Sequence, residues 1–136
     1  PELIEDHAQK LALIEQAEAN VKQAEAAIEV AQAESTSAQA MIAESEAAAD
    51  RDQAAYNRWK SEAARVAELV KSGSLSQKVS DETLSQLHGA DADRRQSAAK
   101  VRSATAAVQE SKAHVDRAKA DYVAAVARLK VAKADA

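Results

Sequence analysis

The chain has 136 residues, a net charge of −4 and no Cys or Phe, and 46% of its residues are hydrophobic although only 2% are aromatic. Much of this apolar content is Ala, which forms helices readily but fills a globular core poorly. The composition excludes disulfides and thiolate metal sites. No apolar run approaches the ~20 residues that cross a bilayer, so direct membrane insertion by this segment is not expected. An acidic chain without a basic stripe argues against nucleic-acid binding.

Mostly apolar residues recur every seven positions through the first half of the chain, and we call such a series a ladder and its members rungs. Its rungs are Ile14, Val21, Ile28, Ser35, Ile42, Ala49, Tyr56, Ala63 and Val70. A small residue usually follows three positions after each rung, as at Ala17 and Ala31. This period places one narrow seam on a helix, and a sustained seam needs a partner helix. The pattern predicts a first helix over about residues 2–71, on the order of 100 Å long at ~1.5 Å per residue.

A short break follows, and then a second ladder. Gly73 lies in the only plausible break, where a residue with positive φ ends a helix, and Ser76 is a candidate N-cap for the next one. The rungs of the second ladder are Leu87, Arg94, Val101, Val108, Val115, Tyr122 and Leu129. The tip is therefore predicted at about 72–76 and the second helix at about 77–135. The expected fold is all-α, a long antiparallel two-helix coiled-coil hairpin that forms one domain.

The ladders also predict how the helices face each other. When facing residue numbers sum to about 146, large residues meet small ones at nearly every layer. This alignment places Asp52 opposite Arg94 in a charge-assisted contact and Trp59 against Leu87. It leaves residues 1–9 without a partner inside the chain. Residues 1–50 carry eleven acidic and two basic side chains, whereas 91–136 carry six acidic and ten basic ones, which favours folding back.

Gly89 is the one local conflict within the second helix, because Gly costs about 1 kcal/mol relative to Ala in a helix interior. The alignment places it opposite Asn57, between Tyr56 and Trp59, and we expect it to make room for those rings. The alternative is that His88-Gly89 ends one helical segment and starts another.

Side chains that carry catalytic chemistry are sparse. The chain has three His residues, none with a second His or a carboxylate pair at metal-ligand spacing on one face. No Gly-rich phosphate loop, nucleophile elbow or catalytic triad can be drawn, and a two-helix hairpin offers no enclosed pocket. The sequence therefore predicts a protein that is not an enzyme and has no cofactor and no metal site.

The most specific local pattern lies at the tip, where Arg65, Leu69 and Ser76 have the spacing R-x₃-L-x₆-S. Arg65 and Leu69 are one helical turn apart and share a face. Each residue also has a plain structural interpretation, with Ser76 as a cap, Leu69 closing the last layer of the seam and Arg65 solvated. This spacing at the apex of an Ala-rich hairpin resembles the α-hairpin of periplasmic adaptor proteins, or membrane fusion proteins, of tripartite efflux and secretion systems.

The resemblance implies that the chain is the excised middle of a larger adaptor, in which lipoyl-like, β-barrel and membrane-proximal domains flank the hairpin. It implies a periplasmic location, association of the full-length protein with the inner membrane and its transporter, and several hairpins arranged in a ring. Arg65, Leu69 and Ser76 would then dock onto a TolC-type outer-membrane channel. The family often has an acidic residue about five positions after the tip Ser, and Asp81 holds that place here, whereas the Gly89 region is less usual.

Two alternatives remain open at the level of sequence. The chain would serve as a purely structural coiled-coil spacer if its tip recognises nothing. An enzyme-linked arm that binds RNA is the third interpretation, which the acidic first helix disfavours.

Overall fold

The computed structural model describes every residue from Pro1 to Ala136 and contains two α-helices and no β-strand. Helix α1 comprises Glu2–Lys71, and helix α2 comprises Gln77–Asp135. The two helices pack against each other as an antiparallel hairpin, so the predicted all-α hairpin is confirmed. No helix combines the length and apolarity needed to cross a membrane.

Charges at the helix ends complement the helix dipoles. Glu2 and Glu5 lie in the first turn of α1, where backbone N–H groups are unpaired, and Lys71 lies in its last turn. Lys133 lies in the last turn of α2. These charges stabilise the helix ends because each faces the partial charge of opposite sign.

The seam between the helices follows the seven-residue pattern, but its most buried residues are the small ones. The buried set comprises Ala17, Ala31, Val66, Ala90, Val108, Ala118 and Ala125 together with Ser80, Thr83, Ser97 and Ser111. The larger rungs, such as Ile28 and Leu129, are only half-buried. Small residues at the contact line let two helices approach closely, while larger side chains flank the line.

Two of the buried hydroxyl groups in the seam are satisfied within their own helix. Thr83 donates to the carbonyl oxygen of Val79 at 2.9 Å, and Ser111 donates to that of Val108 at 2.7 Å. This local bonding lets polar residues occupy buried seam positions without leaving a buried donor unpaired.

The paired helices divide into two packed units. One unit joins Pro1–Ala38 to Ala107–Ala136, and the other is Gln39–Ala106, which contains the tip. In the first unit, Ala17 and Ala132 line one shallow groove and Ala31 and Ala118 line another, so both helices border each groove.

Gly89 does not have the role expected of it. Helix α2 is continuous through this residue, so there is no break at His88-Gly89. A Cβ atom added at Gly89 would meet no atom within 4 Å, so Gly89 makes no room for the rings of Tyr56 and Trp59. Its position on the exposed side of α2 explains the difference, because nothing packs there.

Replacing Gly89 with Ala should stabilise the hairpin by about 1 kcal/mol, since Ala lowers the entropic cost of helix formation and meets no steric conflict. The matched control is Gly73→Ala. Gly73 has a φ of 84°, so that change should destabilise by about 1–2 kcal/mol. Urea unfolding followed by circular dichroism measures both, and a loss of stability in Gly89→Ala would contradict the open environment described here.

Candidate functional site at the hairpin tip

The tip is a tight turn in which backbone hydrogen bonds close the end of α1. Gly73 has a φ of 84° and donates its N–H to the carbonyl of Val70 at 3.0 Å. The N–H of Ser74 bonds to the carbonyl of Leu69 at 2.8 Å. These two bonds form a Schellman motif, which requires one residue in the left-handed region, and Gly adopts that region without strain.

The backbone carbonyl of Leu69 is the acceptor on which the turn is built. It accepts the N–H of Ser74, the N–H of Leu75 at 3.3 Å and the hydroxyl of Ser72 at 3.0 Å. The Ser72 and Ser74 hydroxyls lie 3.2 Å apart. Because these bonds satisfy the end of α1 internally, the side chain of Leu69 is not needed to hold the turn.

Arg65 is exposed but bound to its own helix. Its Nε lies 3.2 Å from a carboxylate oxygen of Glu62, and its Nη2 contacts the other oxygen, so the pair is bidentate. The Arg65 side chain is 61% exposed. The hydrogen bond from Arg65 lowers the pKa of Glu62, and the same bond raises the pKa of Arg65. The sequence motif did not identify Glu62, although its spacing of three residues from Arg65 signals such a pair.

The other two motif residues lie on either side of the turn. The side chain of Leu69 is half-buried, whereas Val66, one turn earlier, is 3% exposed and lies within the seam. Ser76 directly precedes α2, and its carbonyl accepts the N–H of Val79 at 3.1 Å. Ser76 is exposed and its hydroxyl has no partner in the chain. No hydrogen bond joins Arg65, Leu69 and Ser76 to one another, so the tip displays three separate groups.

A polar layer interrupts the seam below the tip, and its contacts differ from those expected. Asp52 forms neither a hydrogen bond nor an ion pair with Arg94. Its carboxylate accepts the hydroxyl of Ser97, three residues further along α2, and lies 3.3 Å from Nε of Arg51. At this layer the two helices are therefore shifted along each other by about one helical turn relative to the predicted alignment.

Arg94 has partners of its own. Its guanidinium carbon lies 4.6 Å from the centre of the Tyr56 ring, and its Nη2 lies 2.5 Å from Asp91. The hydrogen bond from Arg94 lowers the pKa of Asp91. The Nε of Arg94 is buried without a partner. Aromatic stacking and an acid one turn away thus replace the contact with Asp52.

We expect the polar layer to make stability sensitive to acid. The hydrogen bond from Ser97, assisted by Arg51, holds the pKa of Asp52 below its usual value despite its burial. A carboxyl whose pKa is lowered by folding stabilises fully above its unfolded pKa of about 3.9, and this contribution is lost as the pH falls through the lower, folded value. Asp52→Asn should therefore flatten the dependence of the melting temperature on pH between neutral and strongly acidic buffer.

Ser97→Ala serves as a second variant for the acid dependence, because it removes the donor and keeps the carboxyl. This variant should also weaken the dependence of the melting temperature on acidic pH. The effect should be smaller than that of Asp52→Asn, because Arg51 still lies beside the carboxyl. If the melting temperature of both variants fell at low pH as steeply as that of the unaltered chain, the polar layer would not contribute to the acid sensitivity of stability.

Trp59 lies at the edge of the seam rather than inside it. Its half-buried ring lines a shallow depression with Glu82, Thr83, Ser85 and Gln86. The guanidinium carbon of Arg58 lies 5.3 Å from the ring centre. Leu87 is also half-buried.

Every ion pair in the chain joins residues of the same helix. The opposite net charges of the two helices therefore do not pair across the seam. No group of three or more His, Asp or Glu side chains is placed to hold a metal ion. Comparisons with protein-family models, with curated proteins and with solved structures found no significant match to this chain.

Proposed function

We propose that the chain is the hairpin of a periplasmic adaptor protein that docks through its tip onto a TolC-type outer-membrane channel. The adaptor would connect this channel to an inner-membrane transporter for efflux or secretion. The observation that carries the proposal is the set of available groups at the tip. The tip presents the exposed guanidinium of Arg65, the half-buried side chain of Leu69 and the free hydroxyl of Ser76. They accompany a turn that backbone hydrogen bonds to the carbonyls of Leu69 and Val70 hold closed.

The three groups suit recognition of a helical hairpin end. Arg has five donors in a rigid fork, and Glu62 engages only part of this fork, so other N–H groups can reach carbonyls or carboxylates of a partner. Leu69 offers a small apolar anchor and Ser76 a short hydroxyl next to the backbone. One tip has a small area, so a single contact should bind weakly, and several tips held together would bind through avidity.

The binding test uses the chain immobilised at high density and a purified TolC-type channel in detergent. Leu69→Ser should abolish capture of the channel, because the apolar anchor is lost. Its matched control is Leu84→Ser, since Leu84 is a 41% exposed leucine on α2 away from the turn. Both variants should keep the helical signal and melting temperature of the unaltered chain. If Leu69→Ser captures the channel as well as Leu84→Ser does, the hairpin is a spacer without tip recognition.

A further inference from the structure

The polar layer fixes how α1 and α2 are aligned in the unit Gln39–Ala106. The Ser97 hydroxyl donates to the carboxylate of Asp52, and the guanidinium of Arg94 stacks on the ring of Tyr56. Tyr56 and Arg94 are both rungs, whereas Asp52 and Ser97 each follow a rung by three positions. In the observed alignment, rungs therefore face rungs, and the residues between them face each other.

A second alignment keeps the same residues in the seam. If α2 is displaced by half a heptad, about 5 Å, away from the tip, the rungs of one helix face the residues between the rungs of the other. Asp52 then faces Arg94, and Tyr56 faces the buried Ala90. Large side chains meet small ones at most layers, so the displaced helices still fit together.

The other unit, Pro1–Ala38 with Ala107–Ala136, tolerates the same displacement. Its large rungs are only half-buried, and half a heptad brings Ile28 to face Ala118 and Leu129 to face Ala17. No charged residue occupies a rung of this unit or the position three residues after a rung. Displacing α2 along its axis therefore buries no unpaired charge there.

Arg94 is incompletely satisfied in the observed alignment. Its Nη2 contacts Asp91 on the same helix, but its Nε is buried without a partner. A buried donor without an acceptor costs stability. In the displaced alignment the carboxylate of Asp52 lies opposite the guanidinium and provides an acceptor. Ser97 loses Asp52, but a seam hydroxyl can donate within its own helix, as that of Thr83 does.

The turn at the tip favours the observed alignment. Its backbone bonds to the carbonyl of Leu69 fix where α2 begins. Moving α2 away from the tip by about 5 Å draws Ser76 back until it faces Val70. Those bonds would then break, and residues 71–75 would have to close the reversal. The observed alignment thus has the satisfied turn, and the displaced one has the satisfied Arg94.

We infer that the hairpin has two alignments, the observed one and a minor one in which α2 is displaced by half a heptad away from the tip and Asp52 pairs with Arg94. Displacements of one packed helix along another by about a turn occur in microseconds to milliseconds. The two alignments follow from the seam and the polar layer alone and do not depend on the proposed function.

The minor alignment also has a consequence for docking, and this consequence rests on the proposed function. Ser76 is exposed in the observed alignment, whereas in the minor one it lies against Val70 and is withdrawn from the tip. A channel that binds the tip would therefore hold the hairpin in the observed alignment, because it binds only one of the two states.

Pairs of cysteines within one chain report the alignment, because the chain has no Cys of its own. Ser45→Cys is combined with Ala104→Cys, which lies one heptad from the contact of the polar layer and faces it in the observed alignment. Val101→Cys replaces Ala104→Cys to report the minor alignment. Val108→Cys is the matched control, since it lies a similar distance from Ala104 in the opposite direction along α2. Dilute chains in a glutathione buffer should form the Ala104 disulfide most readily and the Val101 disulfide next.

Variants of the polar layer should change these yields selectively. Ser97→Ala removes the contact with Asp52 that belongs to the observed alignment. The yield of the Val101 disulfide should then rise about fivefold, as expected for the loss of one hydrogen bond. Adding Arg94→Gln should cancel the rise because the minor alignment loses its ion pair, whereas Arg94→Lys should preserve it because the charge remains. The Val108 disulfide should not respond, since general loosening of the hairpin would raise both yields.

The same disulfides lock the alignment for the assay of channel capture. The chain locked through Ala104→Cys should capture a TolC-type channel. The chain locked through Val101→Cys should lose capture and regain it when dithiothreitol reduces the disulfide. Circular dichroism should show nearly the same helical content in both locked chains, so that unfolding does not account for the difference.

Each outcome decides one part of the inference. The two alignments are overturned if Ser97→Ala leaves the Val101 yield unchanged or raises the Val108 yield equally. Equal capture by the two locked chains would reject the consequence for docking. If no chain captures the channel, oxidised or reduced, the proposed function fails, and the cross-linking yields still decide between one alignment and two.

Discussion

Val108→Asp should unfold the hairpin more readily than any surface substitution, lowering the free energy of unfolding by about 3 kcal/mol or more. Val108 is 9% exposed, and its carbonyl already accepts the hydroxyl of the buried Ser111. A carboxylate at this position would be buried in the seam between the helices. The seam must therefore separate locally or the carboxyl must be protonated, and both consequences reduce stability at neutral pH.

Val123→Asp is the matched control, since the same change falls on a valine of the same helix that is 65% exposed. Its effect on the unfolding of the isolated chain should stay within about 0.5 kcal/mol. Urea titration at low protein concentration measures both variants. Equal destabilisation of the two would mean that the seam does not hold the helices together in the way described.

Arg65→Asp should abolish export by a full-length adaptor that carries this hairpin while the melting temperature of the hairpin changes little. The substitution reverses the charge of the proposed docking group and removes its five donors. It also removes the bond to Glu62, but that pair is exposed and lies beyond most of the seam. Measuring substrate export in cells, with circular dichroism of the purified chain, separates recognition from folding.

Glu62→Gln controls for the lost ion pair, because it also breaks that pair but leaves the guanidinium in place. Export should persist in this variant. If Arg65→Asp exports normally while Val108→Asp does not, the hairpin needs only its length and its seam, and docking through Arg65 is rejected.

The pairing of the helices was predictable from sequence because a seven-residue period is a property of many residues together. Ile28, Val108 and the small residues between such rungs leave few alternatives to a helical pair. The break at Gly73 was equally visible, since a long Ala-rich chain without internal Pro contains only two Gly residues. The structure places this Gly in the left-handed region, as a helix end of this type requires.

The polar layer was less predictable because side chains choose among several neighbours at similar distances. Asp52 had Ser97 as well as Arg94 within a turn of its level, and a hydroxyl in the seam reached it. Arg94 could interact with both the ring of Tyr56 and the carboxylate of Asp91. A heptad pattern specifies which residues lie in the seam but not which of two adjacent layers they join.

The tip motif was visible in sequence, but the partner of Arg65 within its own helix became visible only in the structure.

The small residues that form the seam also affect how the hairpin responds to temperature. Unfolding exposes little additional apolar surface per residue, because the buried set is dominated by Ala and Ser and no large side chain is fully buried. The heat-capacity change of unfolding should then fall below the usual ~12–15 cal/mol/K per residue. A smaller heat-capacity change gives a flatter stability curve, so the hairpin would keep a nearly constant margin of stability over a broad range of growth temperatures.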